Sequence, residues 1–158
     1  MNFGFITYII GCILNFQGLF LLVPCIISMI YNENSGFAFI ISSIISFAVG
    51  FLFTRKKPKN RSFYAKEGFI SVALGWIALS VSGALPFIIS GEIPNIFNAL
   101  FESISGYTTT GATILSDVES LSKCLLFWRS FTHWIGGMGV LVFVLCILPL
   151  ADGNNMHL

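Results

Sequence analysis

The chain has 158 residues, of which 56% are hydrophobic and only 9% charged, with 17 Phe, a net charge of +1 and a mean hydropathy of +0.88. That is far more apolar sequence than a soluble domain of this length needs to fill a core, so the composition excludes a soluble domain and defines a membrane protein. The expected surroundings are lipid, and no nucleic-acid partner is expected.

Uncharged runs extend from Phe3 to Asn32, Gly36 to Thr54, Gly68 to Gly91 and Ser130 to Ala151. A spanning helix needs ~20 mostly apolar residues, so each run is long enough to cross. Residues 1–54 read as a transmembrane helical hairpin that turns at Asn32-Glu33-Asn34-Ser35-Gly36. Pro24 is expected to kink its first helix, which bilayer helices tolerate. No basic stretch precedes the first run, and the run is too long for a cleaved signal, so the first span is expected to be kept.

Arg55, Lys56, Lys57, Lys59 and Arg61 then form a short basic cluster, broken by Pro58 and followed by Lys66. Basic loops stay in the cytoplasm. Residues 55–62 are therefore a cytoplasmic linker, which puts Met1 inside and both the Asn32 to Ser35 turn and Gly91 outside. An anionic lipid or a cytosolic regulator would also suit the cluster, but a topology signal explains it sufficiently.

The second unit, 63–158, holds one span at about 68–90 and another at about 124–149, with Glu102 the lone charge between Ile93 and Ser116. Pro94 suits the first turn of a helix, and Glu92 before it would complement the positive helix end. Ile96, Phe97, Leu100, Phe101 and Ile104 give helical spacing to Gly106, so a helix is predicted at about 94–106. Three threonines and a glycine then stop it. A helix of ~12 residues rises ~18 Å, about half of a ~30 Å hydrocarbon core. The segment is expected to enter from outside, stop near mid-membrane and return as an extended strand, with Asp117 to Lys123 outside. Non-helical backbone at that depth is tolerated only when buried or lining a water-filled cavity. The predicted fold is thus an all-α membrane protein with four transmembrane helices, one re-entrant pore helix and a filter loop at 108–113.

A bare cation crosses lipid only if oxygens replace its water. Extended backbone can aim successive carbonyls at an axis, a Thr hydroxyl can add an oxygen, and glycine permits angles that a Cβ resists. Thr108-Thr109-Thr110-Gly111-Ala112-Thr113 has that composition. The negative end of the preceding half-helix would favour a cation at the same place. Taken alone, the Thr/Gly stretch would read as an extracellular loop; the half-length helix between two full spans favours the pore-loop reading.

Three stretches carry a resemblance: P-F-I-I-S-G-E from Pro86, F-E-S-I-S-G-Y-T-T-T-G-A-T from Phe101, and F-W-R-S-F-T-H-W-I-G-G-M-G from Phe127. Together they resemble the TrkH branch of the Trk/Ktr/HKT potassium transporter superfamily, over essentially the whole chain. The resemblance implies a unit of M1, pore helix, filter and M2, one of four in a family polypeptide, preceded by an N-terminal hairpin. It implies a filter at Thr109, Thr110, Gly111, Ala112 and Thr113, with potassium held mainly by backbone carbonyls at Thr109, Thr110 and Gly111. It also implies a homodimer, a cytosolic nucleotide-binding regulatory subunit and no cofactor. Tyr107 departs from the pattern, where Phe is expected; its hydroxyl either anchors the filter or does nothing.

Glu102 and Arg129 are candidates for pore support, since intramembrane charges default to functional roles with a partner; Arg129 would serve equally as an interfacial anchor. His133, Ser105 and Asp117 show no nucleophile-elbow pattern, and no enzyme is expected. Gly136, Gly137 and Gly139 allow close helix approach, with packing preferred over a hinge. Cys12, Cys25, Cys124 and Cys146 read as free thiols. The function expected is potassium uptake across the cytoplasmic membrane, by a chain that is the N-terminal fragment of a longer transporter. The alternatives are a homotetrameric channel of the short chain and a non-conducting assembly subunit.

Overall fold

The computed structural model describes residues 3–55 and 65–151, with side chains over 3–55 and 67–142. The basic cluster from Lys56 through Lys66, the Cys146 thiol and the polar end from Asp152 lie outside the described residues, apart from the Ala65–Lys66 backbone. Among the described residues six helices follow in order: α1 (Phe3–Phe20), α2 (Val23–Tyr31), α3 (Gly36–Thr54), α4 (Ala65–Ile89), α5 (Ile96–Tyr107) and α6 (Lys123–Ala151). No strand occurs among the described residues.

Among the described residues three stretches are long and apolar enough to cross a membrane: Phe3–Tyr31, which runs through α1 and α2, Gly36–Thr54 and Glu67–Ile89. The 29 residues of α6 rise about 43 Å at helical pitch, more than the ~30 Å hydrocarbon core requires. The molecule is a multi-pass, all-α membrane protein.

The first apolar run is two helices rather than one kinked helix. At the junction the bonds tighten to the three-residue step, Leu22 N–H to Leu19 O at 3.1 Å and Cys25 N–H to Leu22 O at 3.2 Å. Pro24 then falls in the first turn of α2, where a missing N–H costs no helical bond. The proline starts a helix here instead of bending one.

At the far end of α2, Asn32 closes the helix with φ 54°, donating its N–H to Ser28 O. Asparagine is among the few residues that enter the left-handed region readily. The chain turns back into α3, which lies against α1 along small residues. A Cβ added at Gly11 would stand 2.9 Å from Gly50 O, so these backbones touch. Ser43 Oγ donates across the same seam to Gly18 O at 2.7 Å. Small residues allow this intimacy, and contact replaces the hydrophobic drive that lipid does not supply.

The hairpin and the second unit share one core, in which Leu21, Phe39, Phe87, Leu125 and Trp128 are all buried. Phe39 meets Trp128 edge-on with centroids 5.9 Å apart, and the indole N–H donates to Gly83 O at 3.0 Å. Hairpin, α4 and α6 are thereby tied together on one aromatic side chain, whose polar tip is satisfied.

Candidate ion-binding site

α5 begins at Ile96, capped by Asn95, whose Oδ1 accepts the N–H groups of Phe97 at 2.9 Å and Asn98 at 3.4 Å. Pro94 therefore precedes the cap rather than occupying the first helical turn. The carboxamide supplies the acceptor that orphaned amides need, and proline has none to offer. Glu92, expected to complement this helix, serves another. Its Oε2 accepts Ser122 N–H at 2.8 Å and its Oε1 accepts the Ser35 hydroxyl at 2.9 Å.

Glu33 joins Glu92 there, accepting Lys123 N–H at 2.7 Å and Cys124 N–H at 3.0 Å. Two carboxylates from distant parts of the chain thus take the first amides around the start of α6, where helix charge is positive. Burial works against the Glu33 charge, but the Lys123 and Cys124 amides outweigh it and hold its carboxyl below the ordinary range. The consequence for topology is direct. The segment from Ile93 to Leu121 leaves one end of the bundle and comes back to it, since Ile93 N–H bonds Phe87 O and Ser122 N–H bonds Glu92.

At its far end α5 stops at Tyr107, and the next residues form no strand. Thr109 has φ 57° and Gly111 φ 76°, and left-handed residues two apart break the pleat that an extended strand requires. The expected extended return is instead an irregular loop folded onto the end of its own helix. Glycine is free at this φ, while Thr109 is a β-branched residue held where few such residues sit.

Hydrogen bonding gives the loop a direction. The N–H groups of Thr108, Thr109, Thr110 and Gly111 all turn back to α5, accepted by Ile104 O, Gly106 O and Ser105 O, the last by two of them. Ser105 Oγ draws in one carbonyl, Ala112 O, at 2.6 Å, and Thr109 Oγ1 donates to Thr108 O at 2.7 Å. Among the described residues no donor reaches the carbonyls of Thr109, Thr110, Gly111 or Thr113. All six residues from Thr108 to Thr113 are exposed. Amides are consumed inward, and carbonyl oxygens are left outward.

Behind the loop lies a buried carboxylate. Glu102 is 1% exposed; its Oε1 accepts the Thr113 hydroxyl and Ile114 N–H, the latter at 2.8 Å, and its Oε2 pairs with Arg129 Nε at 3.0 Å. Every oxygen of this charge is used, as a buried carboxylate demands. The two charges singled out in the sequence meet, and together they strap the returning chain to α5 and α6.

α6 presses on the same place. A Cβ at Gly136 would fall 2.2 Å from Tyr107 O, and one at Gly106 would fall 2.2 Å from Thr132 Oγ1. Gly136 is thus a close-approach residue. Gly137 and Gly139 have more room, their virtual Cβ atoms standing 4.0 Å from Thr109 and 3.0 Å from Trp76. His133 is brought beside Gly111, its Nε2 lying 4.0 Å from a virtual Cβ there, while its Nδ1 lies 2.8 Å from Arg129 O. No triad forms: Ser105 serves Ala112 O, and Asp117 accepts Glu119 N–H at 3.0 Å. Cys12, Cys25 and Cys124 are free thiols.

One participant went unnoticed in the sequence. Gln17, in the last turn of α1, is fully buried and donates to the equally buried Tyr107 hydroxyl. Its signal was there to be read: it is the one Gln of the chain, set inside a run without charge.

A polar, non-helical loop strapped by the Glu102–Arg129 pair in an all-helical membrane protein is an arrangement suited to a membrane transporter or channel. Comparison with known proteins makes this specific. Residues 35–158 match the model of the TrkH family, described as cation transport protein, and the chain belongs to that family. It is 42% identical over 144 residues to an uncharacterized cation transporter, MJ1485, of Methanocaldococcus jannaschii, an alignment covering 90% of this chain and 30% of that protein. It is 38% identical over 161 residues to the Trk system potassium uptake protein TrkH of Escherichia coli K12, covering 100% of this chain and 33% of the relative. The crystal structure of the potassium transporter TrkH from Vibrio parahaemolyticus superimposes with a TM-score of 0.88 at 33% identity, over 99% of this chain and 34% of that one. The chain therefore spans about a third of the length of the curated relatives it matches.

Proposed function

We propose that residues 63–158 form one of four pore units of a potassium-uptake protein, with residues 1–54 as an accessory hairpin and 55–62 as its cytoplasmic linker. α4 is M1, α5 the re-entrant pore helix, 108–113 the filter and α6 M2. The observation that carries this reading is the sidedness of the loop, whose amides are spent on α5 while the carbonyls of Thr109, Thr110 and Gly111 stay open. Dehydrated potassium needs such oxygens, and the negative end of α5 adds to their pull.

The excursion from Ile93 to Leu121, which starts and finishes at one end of the bundle, supports a re-entrant segment. It also agrees with the orientation that the basic linker implies, cytoplasmic N-terminus and Glu33, Glu92 and Lys123 outside. Thr113 contributes its carbonyl while its hydroxyl straps the loop to Glu102. Ala112 is the weakest ligand of the five, its carbonyl being taken by Ser105. One loop supplies a quarter of an ion cage, so the remaining oxygens come from further units of a longer chain; a homodimer of such chains and a cytosolic nucleotide-binding regulatory subunit follow from the family likeness.

The test is potassium or rubidium uptake in transport-deficient cells. One arm uses the 158-residue chain, the other a chimera in which it replaces the corresponding segment of the Escherichia coli relative. Uptake by the chimera alone is expected; uptake by the short chain would favour a tetramer of it, and uptake by neither would favour an assembly role. In the conducting form Gly111→Ser is expected to weaken potassium-over-sodium discrimination, because a side chain at φ 76° disturbs the carbonyl directions. Unchanged discrimination would remove the filter assignment, and loss of transport on His133→Ala with Gly111→Ser neutral would point to a side-chain mechanism.

A further inference from the structure

Tyr107 is the last residue of α5 and the one from which the loop departs. Three helices grip it. Its ring lies on Gly83 of α4, where an added Cβ would come within 2.6 Å of Cε2, and its carbonyl lies against Gly136 of α6. The third grip comes from the hairpin, because Gln17 Nε2 of α1 donates to its hydroxyl.

That third contact is chemically unlike the others. Both side chains are 0% exposed, and Gln17 Oε1 has no partner among the described residues. Glutamine is thus kept in the interior with no protein partner for the other half of its carboxamide, a cost that apolar packing would avoid. Packing needs alone would place Leu or Met in α1 and Phe in α5. What the polar pair adds is direction: a hydrogen bond fixes the hydroxyl laterally, where apolar contact lets a ring slide. The ring axis in turn sets the Tyr107 backbone, whose next residue begins the turn into Thr109 and Gly111.

We infer that Gln17 is a positioning residue for ion discrimination, through which the N-terminal hairpin holds the start of the carbonyl loop in place by its bond to the Tyr107 hydroxyl. The hairpin is then part of the filter's support and not only a membrane anchor. This rests on the loop being the ion path, so the experiment separates the two.

In the conducting form, three variants are compared with the parent for rubidium-over-sodium uptake and for melting temperature in detergent: Gln17→Met, Tyr107→Phe and the two combined. The double variant decides the matter, since it buries no orphaned polar group at this spot and keeps the volume nearly constant. It is expected to melt within a few degrees of the parent, yet to lose roughly fivefold in discrimination, the scale of one buried hydrogen bond. Each single variant is expected to lose about as much as the pair, because one bond is removed in all three. Parental discrimination in the double variant would overturn the inference, and so would losses that simply add. Gly111→Ser in the same preparations tells the two failures apart: if it alone shifts discrimination, the loop stands and Gln17 is structural. If it shifts nothing, the filter reading falls and the positioning role falls with it.

Discussion

The N-terminal hairpin and the unit built from α4, α5 and α6 bury polar groups to different ends. In α3, Ser42 Oγ returns to Ala38 O in its own helix at 2.7 Å, and Ser43 Oγ reaches Gly18 O of the neighbouring helix. The Ser42 hydroxyl sits on a carbonyl that its own helix already pairs, whereas Gly18 O lies in the last turn of α1, where the Leu21 and Leu22 amides go to Gln17 O and Leu19 O, and Ser43 supplies its partner. In the α4–α6 unit, Glu102, itself paired with Arg129, and Ser105 and Asn95 hold backbone that no helix satisfies. The first region is mainly a packing solution for lipid, with one hydroxyl closing a helix end, and the second uses buried polarity to keep a whole irregular segment in shape.

The largest effect that would break this comparison is at Glu102. Glu102→Ala leaves Arg129 without its carboxylate and frees Ile114 N–H and the Thr113 hydroxyl together. Removing one partner of a buried pair costs about 3–5 kcal/mol, measured as lost stability of the purified protein in detergent. A cost no greater than that of a serine in α3 would erase the distinction.

Next comes a pair of neighbouring glycines on α6. Gly136→Ala drives a methyl to within 2.2 Å of Tyr107 O, backbone that cannot step aside, and overpacking of this kind costs about 1–3 kcal/mol. Gly137→Ala meets Thr109 Cγ2 at 4.0 Å, an ordinary contact, and gains up to about 1 kcal/mol in helix propensity. Opposite signs one residue apart are expected in the same melting experiment. Equal effects would mean that α6 does not bear on the end of α5.

How much of this was legible in the sequence follows from what each signal measures. Apolar run length located the hairpin, α4 and α6, because the bilayer imposes one length on all of them. Helical spacing from Ile96 to Ile104 gave α5, and the threonines with Gly111 marked its stop. Pairing was harder. Glu102 and Arg129 were visible as charges in an apolar background, which is why they drew attention, but their meeting depends on the α5–α6 crossing angle. Glu92 went to α6 instead of α5 because Asn95 was the nearer acceptor for α5 amides, a competition among neighbours that spacing cannot rank. Pro24 began a helix because the preceding turn had already tightened. Gln17 was missed because a neutral amide raises no alarm in a hydropathy count.

The acid end of the pH range sharpens the comparison at the end of the bundle that Glu33 and Glu92 cap. The carboxyl of Glu33 is held below its ordinary range in the folded chain, with burial opposing and the Lys123 and Cys124 amides prevailing. A depressed carboxyl contributes stability above its unfolded pKa of roughly 4.3, and that contribution is lost as pH falls through the folded value. Glu33→Gln is therefore expected to cost about 1 kcal/mol near neutrality, the usual worth of a helix cap, and to converge on the parent below roughly pH 4. Parallel melting curves over that range would show that the cap carries no charge-dependent share.

The smallest effect belongs to Ser42→Ala. Its hydroxyl bonds to Ala38 O, which also receives the Ser42 amide within α3, so the carbonyl keeps a partner when the hydroxyl goes. The site is 0% exposed, and an alanine leaves a space of barely one oxygen. Against that loss stands a small gain, since serine's bond to the carbonyl four residues back slightly weakens a helix and alanine is the better helix former. The net change is expected within about 0.5 kcal/mol, and it reads directly on the difference between the two regions. A cost above 2 kcal/mol would show that the hairpin, too, depends on its buried hydroxyls, and lipid packing alone would no longer account for it.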